Sequence, residues 1–406
     1  MNQFPGRSYW QINTLCNEKS DISLEMPKTV NTIIIGGGIM GISTAYWLSK
    51  YGMDVLLLEK GDLAQAASGQ NAGIVTFGPE EEYIYAVKNI GREKTKKILE
   101  DTIENQHILE KLIIDEELKI EYIKTGFMSL ACSDRQMSIL DKSANMMSID
   151  GLDVAIVDHR QAEKLLGIRL NHRYIGGAYS SPDALLNPVA YTYEMGRIAQ
   201  KYGAKIFKGE SVKSIYYKNG YWYAVLSKGI VKTDNIILAT GYSTNTLTED
   251  LKHSISFARE SMLSAQVTKG LFEMKLGWAG NNVSEYGRQD KNGSVLLGGF
   301  LRNYVLETKT LYRIQALLNS FVQKSFNEIT LEVMNVWTGV ICDSNDHVPL
   351  VGVYPGKKGL WFITAFGGQG LAFSQVMPYL LSKAIAHNDL TFLPFYATPS
   401  RFENKE

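Results

Sequence analysis

The chain has 406 residues, 45% of them hydrophobic and 21% charged, enough for two or three full cores and too apolar for intrinsic disorder. Lys+Arg and Asp+Glu balance at 42 each, so no sequence-wide positive field exists to hold nucleic acid or an anionic membrane. Cys16, Cys132 and Cys342 stand far apart without Cys/His ligand spacing, which argues against a disulfide framework and against a metal site. The amino terminus lacks a basic start followed by an apolar run, and nowhere do about 18 apolar residues stand together, so a soluble, cytoplasmic protein without a transmembrane segment is expected.

The first unit reads as βαβ. Residues 29–35 (TVNTIII) form a β-branched run suited to a strand buried on both faces, 38–51 place Ile42, Ala45, Tyr46 and Leu48 at helical spacing, and 54–58 (DVLLL) make a second buried strand. Residues 80–118 turn charged and helical, with Lys94, Lys96 and Lys97 on a solvated face. Strands are expected at 121–123 and 127–131, then a polar helix over 134–148. Asn187-Pro188 pairs an N-cap with a proline at the first helical position, opening a helix that Gly203 ends.

Further along, 211–217 and 221–226 alternate as strands around an Asn219-Gly220 hairpin turn. Residues 234–239 (DNIILA) read as another buried strand, and 258–299 as antiparallel strands. A helix over 308–326, strands at 328–337 and 360–364, and a helix over 371–387 that Pro378 should kink complete the chain.

Gly36-Gly37-Gly38-Ile39-Met40-Gly41 fits GxGxxG between strand and helix. The first glycine makes the turn, the second lets backbone approach a pyrophosphate, and the third packs helix on sheet. Glu59, with Lys60 after it, ends the second strand 18 residues past Gly41, where a carboxylate accepts hydrogen bonds from ribose hydroxyls. Small and polar residues follow at Ala67, Ser68, Gly69, Gln70, Asn71, Ala72 and Gly73.

Together with IILATG and the GGQG turn, these segments make the chain resemble the D-amino acid oxidase-like family of FAD-dependent oxidoreductases, which includes glycine oxidase, sarcosine oxidases and glutamylputrescine oxidase, over nearly its whole length. ASGQNAG at 67–73 is close to the family's loop after the ribose acid, and DALLNP at 183–188 to its middle segment, with Ala184 where the family has glycine. Trp337, Gly339, Asp346 and Pro349 hold its carboxyl-end spacing before AFGGQGLAFS. The resemblance implies non-covalent FAD, with Val212 meeting the adenine through its backbone and Ala239, Thr240 and Gly241 beside the diphosphate. Gly367, Gly368, Gln369, Gly370 and Leu371 would turn N–H groups toward the flavin where negative charge gathers on reduction.

The departures bear on substrate. Amino-acid-oxidising members carry an arginine four residues after the Trp, to clamp the carboxylate, where this chain has Ile341; a second arginine is replaced by Gly368. Arg288 is the remaining cation candidate, sharing a strand face with Tyr286, whether toward the cavity or away from it. His347 beside Asp346 is a candidate pocket residue or a polar loop histidine. Cys342 lies three residues from Gly339, the position where related sarcosine oxidases place their flavin-linking cysteine.

The expected fold is α/β: a Rossmann-like FAD-binding domain (1–79, 151–250 and 337–406) interleaved with an antiparallel-sheet substrate domain (80–150 and 251–336). The expected reaction is oxidation of an amine's C–N bond by hydride transfer to flavin, giving an imine, with oxygen or a carrier as electron acceptor. Alternatives are oxidation of a small amino or imino acid, and a flavin-binding subunit without turnover of its own. An oligomer is compatible with either.

Overall fold

The computed structural model describes residues 6–14, 25–249, 251–280, 284–299 and 311–402. Strands Thr29–Ile35 and Val55–Glu59 pair in parallel across the helix Ile39–Lys50. Ile230–Leu238 and Leu360–Thr364 extend this parallel core on one side, and Lys205–Lys208 on the other. The strands are apolar throughout because both faces are covered. Ile34, Leu57 and Ile237 pack against helices Ile39–Lys50, Pro188–Lys201 and Val376–His387, while Ile33, Leu56 and Ile236 meet Trp222, Leu251 and Leu350. The hairpin Ser214–Lys218 to Tyr221–Val225 turns at Asn219 and Gly220, both at positive φ (51° and 86°), as an Asn-Gly turn requires.

A second eight-stranded sheet runs Thr330–Ser344, Ile255–Lys269, Val295–Gly298, Glu285–Gln289, Gly277–Gly280, Phe127–Ala131, Gly176–Ser180, Val154–Asp158. Its neighbours are antiparallel except Gly277–Gly280 with Phe127–Ala131, which run parallel. One face of this sheet is sealed: Met128, Leu263, Trp278 and Leu297 pack with Ile314, Leu318 and Phe321 of the helix Leu311–Ser325. The helix expected over 308–326 thus spans Leu311–Ser325, while 308–310, like Cys16, lie outside the described residues.

The strand expected to end at residue 337 continues to Ser344, because Ile255–Lys269 pairs with it along its whole length. Trp337, Gly339 and Ile341 therefore sit mid-strand. Pro378 does not kink the last helix. A short 3-10 turn, Gly370–Phe373, precedes a helix that starts at Val376, so Pro378 falls in the first turn, where a backbone N–H has no intrahelical acceptor to lose. The boundary expected at residue 151 cuts through the second sheet, since Val154–Asp158 and Gly176–Ser180 pair into it beside Phe127–Ala131. No described helix is long and apolar enough to cross a membrane.

Candidate active site

A cavity of about 1300 Å³ is lined from both sheets. Gly36, Gly37, Gly38, Ile39, Met40, Glu59, Lys60, Ala67, Ser68, Gln70, Asn71, Ala72, Val212, Ala239, Thr240 and Gly241 lie on its wall, and so do Gly367, Gly368, Gln369, Gly370 and Leu371. Gly41 and Gly73 stand behind this lining. A Cβ at Gly41 would collide with the Gly36 carbonyl, so the third glycine lets helix meet strand.

The Glu59 carboxylate is already oriented: Oε2 accepts the Gly37 amide at 2.6 Å and Oε1 the Gly61 amide at 2.8 Å. Two amides leave lone pairs over for ribose hydroxyls. Ser68 Oγ accepts from the Ile39 amide (2.9 Å) and ties the 67–73 segment to the helix start, where Gly38 supplies no side-chain cap. Lys60 Nζ donates to Ser243 Oγ (3.3 Å) and lies over the Tyr242 ring.

Two indoles clamp the same segment, Trp337 Nε1 donating to the Gln70 carbonyl and Trp10 Nε1 to the Asn71 carbonyl, each at 2.9 Å. Trp10 belongs to a short helix, Tyr9–Asn13, which is not among the expected elements. Its signal was present: Ser8 followed three residues later by Gln11 is a capping box, and both of its hydrogen bonds form.

The unsealed face of the second sheet makes the cavity's other wall. Register places Met262, Gly298, Tyr286, Ala279, Ser129 and Ala178 side by side across six strands. In-register residues share a face. The Tyr286 ring lies across Gly298, where a Cβ would strike it, and so reaches toward Met262. Ile341 also lines the cavity.

Arg288 shares Tyr286's face but not the cavity. It is 2% exposed, under the Trp10 ring, and its Nη1 donates to the carbonyls of Gly73 (2.8 Å) and Leu186 (2.9 Å). Burial pulls its pKa down to about 10, still cationic at neutral pH. It ties sheet to loop and does not face the cavity. His347 is likewise outside the lining. Its Nδ1 meets Asp343 Oδ2 at 2.5 Å, and that hydrogen bond raises its pKa. Cys342 lines the cavity as a thiol, pushed up to about 11 by burial.

The remaining charges were not foreseen. Glu80, Glu81, Glu82, Asp183 and Glu260 line the cavity, and Arg259 is the one arginine among the described lining residues. Asp183 stood in the DALLNP segment, and 80–82 were read only as the start of a charged helix. Glu80 Oε2 accepts the Gly368 amide at 3.1 Å.

These features fit FAD. The cavity exceeds the roughly 300–1,000 Å³ of a drug-sized ligand site. Its glycine turn cannot carry side chains, and an oriented carboxylate stands at the strand end.

A profile of the family described as FAD dependent oxidoreductase matches residues 31–383. The chain is similar to the probable oxidoreductase OrdL of Haemophilus influenzae, 22% identical over 370 residues, covering 88% of this chain and 83% of that protein. It is 24% identical to the mitochondrial dimethylglycine dehydrogenase of Mus musculus over 407 residues, 93% of this chain but only 45% of that longer protein. In three dimensions it resembles the glycine oxidase of Bacillus cereus, with a TM-score of 0.71 at 18% identity, over 88% of this chain and 95% of that one. With a glycine turn, an oriented carboxylate at the strand end and a family match spanning most of its length, this chain belongs to the FAD-dependent oxidoreductases.

Proposed function

We propose that the protein oxidises the C–N bond of an amine that carries no carboxylate beside its nitrogen, giving an imine. The observation that carries this is the charge of the cavity wall: among the described lining residues seven carboxylates, Glu59, Glu80, Glu81, Glu82, Asp183, Glu210 and Glu260, stand against two cations, Lys60 and Arg259, with Ile341 and Gly368 offering no guanidinium fork. A free α-carboxylate would face like charge, whereas an ammonium finds partners on entry. The names of two similar proteins, dimethylglycine dehydrogenase and glycine oxidase, support a substrate with an amine nitrogen.

In this reading Glu59 holds the ribose hydroxyls. The glycine turn at 36–40 would lie by the diphosphate at the start of its helix, where the dipole favours negative charge, Val212 would lie by the adenine, and the 367–371 turn by the ring. The Gly36, Gly37 and Ile39 amides and those of Gly367 and Gly368 are already bonded within the chain. Bound FAD supplies the acceptor for the hydride that leaves the carbon beside the nitrogen. The protein contributes position and electrostatics, with no dedicated base. Attachment is non-covalent, and electrons leave to oxygen or a quinone-type carrier. The free thiols of Cys132 and Cys342 support a cytoplasmic setting.

A second reading, oxidation of a small amino acid, is favoured by Arg259 on the cavity wall. Anaerobic bleaching of the flavin by matched pairs separates the two. Bleaching by ethylamine much faster than by glycine is expected, and the reverse order, abolished in Arg259→Ala, would overturn the amine reading.

A further inference from the structure

Trp10 stands behind the cavity wall and acts on it through one peptide unit. Its ring is 4% exposed, on a helix pinned at several points: Gln11 Nε2 donates to the Ala64 carbonyl (2.8 Å), Ser8 Oγ to that of Gly69, and Asn335 Nδ2 to that of Arg7 (2.9 Å). From there its Nε1 holds the Asn71 carbonyl. A trans peptide is planar, with C=O and N–H on opposite sides. The Ala72 N–H therefore points away from Trp10, and Asn71 and Ala72 line the cavity whereas Trp10 does not.

Ala72 is 8% exposed, and among the described residues no oxygen accepts its N–H. Buried amides are nearly always paired. The Asn71 side chain is already committed, its Oδ1 accepting the Gly73 amide (2.8 Å) and its Nδ2 donating to the carbonyls of Ala67 (2.9 Å) and Ser68 (3.0 Å). An acceptor for the Ala72 amide thus has to come from the cavity. Two contacts put this peptide at the ring end of the site. A Cβ at Gly339 would stand 3.5 Å from Gln70, and Thr76 Oγ1 donates to Gln369 Oε1 at 2.9 Å, so the stretch 70–76 borders the 367–371 turn, while Ser68 before it meets the start of the first helix.

We infer that Trp10 is a positioning residue for the cofactor: by holding the Asn71 carbonyl it presents the Ala72 N–H to an electron-rich heteroatom of the flavin ring. Negative charge gathers on the ring on reduction, so a fixed donor there binds reduced flavin more tightly than oxidised flavin and raises its potential. This rests on the placement of FAD given above and is independent of the substrate class.

Two variants of the full chain test it. Trp10→Phe keeps an aromatic ring over Arg288 and removes the N–H that holds the carbonyl. Ala72→Pro deletes the proposed donor itself, at a position where no internal hydrogen bond is lost and where Asn71 already has the extended backbone (φ −90°, ψ 176°) that a residue before proline requires. Anaerobic spectroelectrochemistry of the bound flavin, which needs no substrate, should show the preference for reduced over oxidised FAD falling about tenfold in both, a midpoint potential lower by about 30 mV for a two-electron couple. Thermal unfolding of the apoprotein should stay near wild type in Ala72→Pro. An unchanged potential in Ala72→Pro, even with both redox forms bound more weakly, would overturn the inference, since a merely structural or steric effect weakens both alike. This variant decides the matter should Trp10→Phe fail to fold. A potential that falls in Ala72→Pro and not in Trp10→Phe would overturn the role of Trp10. Wild type that takes up no FAD would remove the cofactor reading as well, whereas bound FAD with unchanged potentials removes this inference alone.

Discussion

The Glu80 carboxylate accepts the Gly368 amide at 3.1 Å, and a Cβ at Gly368 would stand 3.2 Å from Glu80 Oε1. An acid thus covers the glycine turn at the position where the resemblance implies an arginine in some family members. Asp343 and His347 lie beside it: a Cβ at Gly367 would come within 3.4 Å of Asp343 Oδ1, and Glu80 contributes to raising the His347 pKa after Asp343 itself.

An arginine introduced at 368 therefore meets Glu80 before it meets a substrate, and a charge-assisted pair forms within the protein. Gly368→Arg alone should leave reduction by glycine close to wild type, whereas Gly368→Arg with Glu80→Gln should raise it about tenfold or more. Stopped-flow reduction by glycine and ethylamine reads both. Equal gains in the single and double variants would show that Glu80 does not hold this position.

Glu59→Ala removes a carboxylate that bonds two amides of its own chain as well as the proposed ribose contacts. Each hydrogen bond to a charged acceptor is worth about 1.5–3 kcal/mol, so the dissociation constant for FAD should rise at least about tenfold. Titration of apoprotein with FAD, followed by flavin fluorescence, measures it; an unchanged constant would mean that the ribose is held elsewhere.

Arg288→Met should act on stability and not on substrate choice. It removes a charged donor shared by two backbone carbonyls, that of Gly73, which keeps the Leu186 amide, and that of Leu186, at a site 2% exposed to solvent, a loss of roughly 2–4 kcal/mol. Thermal unfolding should shift down while the ratio of ethylamine to glycine reduction stays constant. A changed ratio at constant stability would return Arg288 to the substrate site.

Burial raises the Asp183 pKa from 3.8 to about 7. Between those values the folded chain holds a proton that the unfolded chain has lost, so this group's contribution to stability falls as pH rises from about 4 to about 7 and is flat above. The full shift corresponds to on the order of 4 kcal/mol. Asp183→Asn lacks this slope, and its stability relative to wild type should rise with pH across the same window in urea unfolding. A flat difference would mean that Asp183 is ionised with a partner.

The first βαβ unit and its glycine turn were legible because their determinants are local. A strand, a glycine turn, a helix and an acid lie within residues 29–59, and each follows from side-chain size or backbone freedom at a fixed spacing. The end of the strand at 337 was misjudged because a strand continues as far as its partner does, and the partner lies some 80 residues away in sequence.

Sequence alone determined the glycine turn between strand and helix, the acid ending the second strand, the Asn187 cap and the Asn219-Gly220 turn, all of them consequences of short-range geometry, and its motifs carried the resemblance to the family. Only the tertiary structure decided which face of a strand meets a void. It set Tyr286 on the cavity and Arg288 two residues away beneath Trp10, and it drew Val154–Asp158 and Gly176–Ser180 into the second sheet. It also buried Asp183 among the cavity-lining residues. Strand alternation fixes which residues share a face, but the packing of distant segments decides whether that face is covered.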